Sequence, residues 1–137
     1  MHRACLTIAL LAMPLALAQS PTTRDLMLDL IHPASNDLLL ALNRNGPSTS
    51  QEWSDARRNS LTLTESGTLL APLVNSDAWR AATKLLSDAG AEAYKAAQSK
   101  DAKALAIATA HIDAACTACH KQFRPNVFPL KRQEPGA

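Results

Sequence analysis

Residues 101–123, DAKALAIATAHIDAACTACHKQF, contain the features that decide the fold. Asp101 is a suitable N-cap for a helix, and the residues after it have helical apolar spacing. Its larger apolar positions are Leu105, Ile107 and Ile112. The helical pattern continues into a C-x-x-C-H motif at residues 116–120, and Pro125 then provides a stop. This stretch predicts a C-terminal helix whose last turns carry two cysteines and a histidine, side chains that can form covalent bonds or bind a metal ion.

Three further helices are predicted upstream, each bounded by capping or turn-forming residues. Helix A is expected from about Thr22 to Arg44, with Pro33 causing a kink or a short break. Helix B is expected from Thr49 or Ser50 to a stop at Pro72, and helix C from Asn75–Ser76 to about Gln98. No stretch alternates apolar and polar residues as a strand does. The prediction is an all-α, antiparallel four-helix bundle.

Composition limits the possible functions. The 137 residues are 47% apolar and 19% charged, which suits one folded domain and not a disordered chain. Aromatic residues make up only 4%, and Ala and Leu dominate, as is typical of helical proteins. The net charge of +2, without a basic stripe, argues against a nucleic-acid partner.

The N-terminal segment has the features of an export signal. MHR is a short positive region, ACLTIALLAMPLAL is an apolar region, and ALA is a cleavage signal ending at Ala18. A retained anchor is the alternative, but the apolar run is shorter than the about 20 residues that span a bilayer. We expect residues 1–18 to be removed and residues 19–137 to form the periplasmic domain, with an irregular tail from about residue 125 and no membrane insertion.

The two cysteines of the motif are the only ones expected in the mature chain, because Cys5 lies in the signal. A redox disulfide of the thioredoxin type belongs beside a βαβ pattern, and no strand is predicted here. A zinc site needs four ligands if it is structural, or three plus water if it is catalytic. This cluster contains only three candidates, and the adjacent positions Cys119 and His120 point about 100° apart on a helix. Covalent attachment of a c-type haem fits better.

Helix geometry supports haem attachment. Cys116 and Cys119 are three residues apart and can form thioethers to the two vinyl groups of one haem. His120 follows Cys116 by four residues, so it shares a helix face with that cysteine and can bind the iron. His111 lies on the opposite face and is expected at the surface. The predicted cofactor is one haem c on the C-terminal helix.

With this motif at its C-terminal end, the chain resembles the cytochrome c′/cytochrome c-556 family of bacterial monohaem cytochromes. The resemblance includes TRDLMLDLIHPASNDLLLAL at residues 23–42, EWSDARRNSLTLTESGTLL at 52–70, DAWRAATKLLSDAGAEAYKAAQSKDA at 77–102 and CTACHKQFRP at 116–125. Cytochrome c′ is a standard example of the four-helix bundle. The resemblance implies a haem electron carrier or a haem that binds small gases.

The resemblance also implies that the residue facing the iron opposite His120 comes from helix A, shortly after a basic residue such as Arg24. Met27 there would make a six-coordinate electron carrier. Leu28 would leave the iron five-coordinate, and His32 is a third candidate. The resemblance further places a basic residue, Arg124 here, near the proximal histidine or a haem propionate.

The function expected from these features is one-electron transport, without catalytic residues. Redox proteins are the expected partners, and a homodimer is possible within the family. The alternative is a five-coordinate haem protein that binds NO or CO.

Overall fold

Four helices make up the part of the chain that the structure, a computed structural model, describes: residues 20–126. Helix α1 comprises three consecutive segments, Thr23–Asp25, Leu26–Ile31 and His32–Asn43; α2 is Ser50–Leu70, α3 is Asp77–Ser99 and α4 is Ala102–Phe123. A 3₁₀ turn, Ala71–Leu73, follows α2. Residues 20–126 contain no strand, which confirms the all-α four-helix bundle. The predicted signal segment, residues 1–18, and the predicted irregular tail beyond residue 126 lie outside the described residues.

Side-chain caps define the starts of α2, α3 and α4 close to where the sequence predicts them. Thr49 and Glu52 form a capping box, in which each side chain accepts a hydrogen bond from the other residue's backbone N–H. Ser76 caps α3, and Asp101 Oδ1 accepts from Ala104 N at 2.9 Å to cap α4. The helix limits therefore follow from local hydrogen bonding.

Pro33 does not break α1, contrary to one of the two predicted outcomes. The backbone stays helical through it, because Ile31 and His32 both have right-handed helical dihedrals. The change in geometry lies just before the proline, where residues Leu26–Ile31 form a wider π-helical turn. An extra residue in the turn lets the helix accommodate the proline and continue.

Helices α2 and α3 approach each other backbone to backbone at two glycines. A Cβ atom on Gly67 would lie 2.7 Å from the carbonyl oxygen of Thr83, and one on Gly90 would lie 2.6 Å from the backbone nitrogen of Thr64. Ser87 Oγ also donates a hydrogen bond across the interface to the Thr64 carbonyl, at 2.9 Å. Neither glycine position has room for a side chain.

The core extends along all four helices. Its larger apolar side chains are Leu26, Ile31, Leu38, Leu63, Leu70, Trp79, Leu86, Leu105 and Ile112. Alanines fill much of the remaining core on α3 and α4. Within residues 20–126, no helix has the length and apolar character needed to cross a membrane.

We predict that Gly67→Ala and Gly90→Ala each destabilise the protein. In an open helix, Gly→Ala adds about 1 kcal/mol of stability, because glycine loses more backbone entropy on folding. Here the added methyl group meets backbone atoms of the facing helix, and overpacking of this kind costs about 1–3 kcal/mol. Urea denaturation of each variant measures the change in the free energy of unfolding.

Ala91→Gly is the matched control, because Ala91 is exposed and adjoins Gly90 on α3. We expect it to lose about 1 kcal/mol through helix propensity alone. A gain in stability from Gly90→Ala would show that α2 and α3 are not in close backbone contact.

Candidate functional site

The C-x-x-C-H motif lies in the last turns of α4, beside a cavity of about 230 Å³ to which all four helices contribute. All three motif residues, Cys116, Cys119 and His120, line it. The other lining residues are Met27, Leu28, Ile31, His32, Leu70, Ala82, Thr83, Leu86, Ala115 and Arg124. Most of these side chains are apolar, so the motif faces a largely apolar space.

A second cavity, of about 640 Å³, adjoins the first at the same end of the bundle. The two share five lining residues: Met27, Leu28, Cys119, His120 and Arg124. The second is completed by Thr23, Arg24, Val74, Trp79 and Phe123. The motif and the start of α1 therefore border one continuous region between α1 and α4.

Both cysteines are free thiols and half-buried. Burial, followed by the electrostatic influence of Asp113 and Cys119, raises the pKa of Cys116 to about 11. Burial alone raises the pKa of Cys119. Both groups are therefore neutral thiols at neutral pH, set one helical turn apart in apolar surroundings.

His120 is half-buried, and its neighbour in space is Arg124. Burial lowers the pKa of His120, and the positive charge of Arg124 lowers it further. The imidazole is therefore favoured in its neutral form, which is the form that binds metals. The backbone N–H of Arg124 donates to the His120 carbonyl at 2.8 Å and ends the helix, which places this exposed arginine at both cavities.

Helix α1 brings all three distal candidates to the cavity region. Met27 is half-buried and packs against the core, whereas Leu28 is 52% exposed. Both line the two cavities. His32 lines only the smaller one, and its Nδ1 lies 3.3 Å from Asn36 Nδ2. The sequence-predicted residues of α1 and α4 are thus brought together.

The rival interpretations of the motif gain no support from this geometry. Cys116 and Cys119 do not form a disulfide. In the described range, residues 20–126, no group of three or more His, Cys, Asp or Glu side chains is arranged to hold a metal ion. His111 is exposed, as predicted, and pairs with Glu92 at 2.7 Å on the surface.

Sequence reasoning missed an aromatic pair beside the motif. The rings of Trp79 and Phe123 meet edge to face, with centroids 5.0 Å apart, and Trp79 Nε1 donates to the Leu70 carbonyl at 2.8 Å. The pair thereby connects the ends of α2 and α4 through the start of α3. Phe123 lies four residues after Cys119, and this helical spacing is the signal that could have placed it near the cavity.

Comparison with known proteins relates part of the chain to one family. Residues 64–124 match the family model described as Cytochrome C′. No curated protein and no solved structure matches the chain at the significance applied. The matched residues run from the second half of α2 through α3 and α4 to Arg124, and they include the whole motif.

This match confirms the predicted relation to the cytochrome c′ family. The family implies covalently bound haem c, and the residues present fit that group. Two free thiols at positions i and i+3 and an imidazole at i+4 line an apolar cavity, as covalent attachment and axial ligation require. The fold and this partial family match together suggest a c-type haem protein.

We predict covalent attachment through both motif cysteines. Intact mass spectrometry of the mature protein should show the mass of one haem, retained after acid–acetone extraction, because thioether bonds survive that treatment. Cys116→Ala and Cys119→Ala should each leave a single thioether, and the double variant should lose the haem on extraction. A mature protein with two free thiols would contradict haem attachment.

We also predict that His120 is the proximal iron ligand. His120→Ala should keep the haem attached but abolish the normal axial spectrum, measured by ultraviolet–visible absorption. His111→Ala is the control, because His111 is exposed on another part of α4. A change in the haem bands of the His111 variant would show that the register assigned to α4 is wrong.

Proposed function

We propose that the protein is an exported, periplasmic electron carrier in which His120 and Met27 are the two axial ligands of a covalently bound haem. The observation that supports this proposal is the placement of both side chains on the same two cavities, His120 from α4 and Met27 from α1. A histidine–methionine pair is typical of electron-carrying c-type cytochromes. The export signal predicted from the sequence of residues 1–18 is what supports this location.

Each cavity residue then has a distinct role. The thiols of Cys116 and Cys119 would hold the cofactor against α4 through thioether bonds to its two vinyl groups. His120 would bind the iron through a neutral imidazole, and the soft thioether of Met27 would stabilise the reduced state. Bound haem supplies the one-electron chemistry, with its iron alternating between the ferric and ferrous states.

The residues around these ligands control water and charge. Three buried apolar side chains keep water from the wall of the smaller cavity: Leu70, Leu86 and Ala115. The guanidinium of Arg124, at the rim of both cavities, is suited to pair with a propionate carboxylate of the cofactor. An electron carrier of this kind needs no acid–base or nucleophilic residue, since electrons pass to redox-protein partners without bond making in the carrier.

Leu28 supports a second candidate function, the binding of NO or CO by a five-coordinate haem. It follows Met27 in sequence and lines the same two cavities. With Leu28 facing the iron, the sixth position would be open to a small gas. His32 is a third candidate, and it lines the smaller cavity only.

We predict that Met27→Ala converts the protein from a six-coordinate, low-spin form to an open form. Loss of the soft sulfur ligand should lower the reduction potential and speed CO binding, because CO no longer has to displace the thioether. Absorption spectra of both oxidation states, stopped-flow CO binding and a potentiometric titration measure these effects.

Leu28→Ala and His32→Ala are the matched controls, because both residues line the smaller cavity together with Met27. We expect both to keep the low-spin spectrum. A wild-type protein that is already high-spin and matches the Met27 variant would favour Leu28 and gas binding. Loss of the low-spin spectrum in the His32 variant alone would assign the ligand to His32.

A further inference from the structure

We propose that Pro33 positions the iron ligand. The wide turn that precedes Pro33 rotates Met27 away from the buried face of α1, which packs into the core, and onto the cavity wall. This inference rests on the proposed function, in which Met27 binds the iron. It assigns a role to a residue that touches neither cavity in the described structure.

The buried stripe of α1 shows the effect of the wide turn. From Ile31 onward the stripe has α-helical spacing, through Ala34 to Leu38, and all three are at most 4% exposed. Extending that spacing one turn toward the N-terminus places Met27 in the stripe, four residues before Ile31. The structure buries Leu26 instead, at 3% exposed, five residues before Ile31.

Regular α-helical geometry does not place Leu26 on that face. In an α-helix two residues five apart are about 140° from each other around the axis. The π-helical segment Leu26–Ile31 has more residues per turn, and this removes most of the angular difference. The hydrogen bond typical of such a turn is present, because the backbone N–H of His32 donates to the carbonyl of Met27, five residues back. The extra residue therefore puts Leu26 in the core, and Met27 moves one position round to line both cavities.

Pro33 explains why the wide turn lies at this point. A proline has no N–H to donate to the carbonyl four residues earlier, that of Asp29, and its ring crowds that carbonyl in an α-helix. The π-helical segment ends two residues before the proline and includes Asp29. Widening the turn there relieves the crowding while the helix continues.

Removal of the proline should shift the start of α1 by one residue. With an ordinary α-helical turn in place of the π-helical one, Met27 takes the core position that Leu26 now holds. Leu28 then takes the position that Met27 now holds. A single substitution away from the cavities would then exchange a methionine for a leucine opposite His120.

Pro33→Ala in the haem-bound protein tests this inference. We expect loss of the methionine–iron charge-transfer absorption, a high-spin spectrum, a lower potential and faster CO binding, as for Met27→Ala. The melting temperature should not fall, because alanine favours the helix more than proline does. Pro72→Ala is the control, since that exposed proline lies in the 3₁₀ turn after α2, and it should keep the wild-type spectrum.

A second set of variants, in which Met27 and Leu28 are exchanged, keeps the test from depending on Pro33→Ala alone. Met27→Leu/Leu28→Met with Pro33 in place should lose methionine ligation, because leucine then occupies the cavity position. The same exchange combined with Pro33→Ala should restore it. If Pro33→Ala fails to fold, retention of methionine ligation by the exchange variant with Pro33 in place overturns the inference.

The outcomes separate this inference from the proposed function. A wild-type protein without methionine ligation overturns the proposed function, and this inference with it. A low-spin wild-type protein that opens on Met27→Ala supports the proposed function. If Pro33→Ala then keeps the methionine–iron band and the wild-type potential, the positioning role of Pro33 is overturned while the electron-carrier proposal stands.

Discussion

The close contact between α2 and α3 is the constraint on which the rest of the bundle depends. At Gly67 and Gly90 the helices meet through their backbones, with no side chain between them. Such contacts allow little sliding, because a small shift brings Cβ atoms of neighbouring residues against the facing backbone. The hydrogen bond from Ser87 Oγ to the Thr64 carbonyl adds a directional restraint at the same level. The two central helices therefore form a fixed base for α1 and α4.

A short series of contacts connects α2 and α3 to the site. Trp79 donates from Nε1 to the Leu70 carbonyl, so the end of α2 and the start of α3 hold one aromatic ring in place. That ring packs edge to face on Phe123, three residues after His120. The C-terminal end of α4, which carries the motif, is thereby packed against the end of α2 and the start of α3.

Local signals made most of the fold and half of the site predictable. Thr49, Ser76 and Asp101 mark helix starts because capping depends on neighbouring residues alone. The motif is likewise local, so Cys116 and His120 were assigned from spacing. The closeness of Gly67 to Gly90 was not predictable, since it depends on two helices meeting at one level. The wide turn before Pro33 was also missed, because a proline in a helix permits several distortions and the surrounding packing selects among them.

The two sides of the site differ in what determines them. On α4 the spacing within C-x-x-C-H sets the proximal residue, and a change of register would separate the thiols from the imidazole. On α1 the adjacent Met27 and Leu28 line the same cavities, so composition does not decide between a ligand and an open position. The decision depends on helix register, which a turn wider by one residue changes by one position. If Pro33 sets the register of α1 as proposed, the difference between electron carrier and gas binder rests on backbone geometry as much as on the presence of methionine.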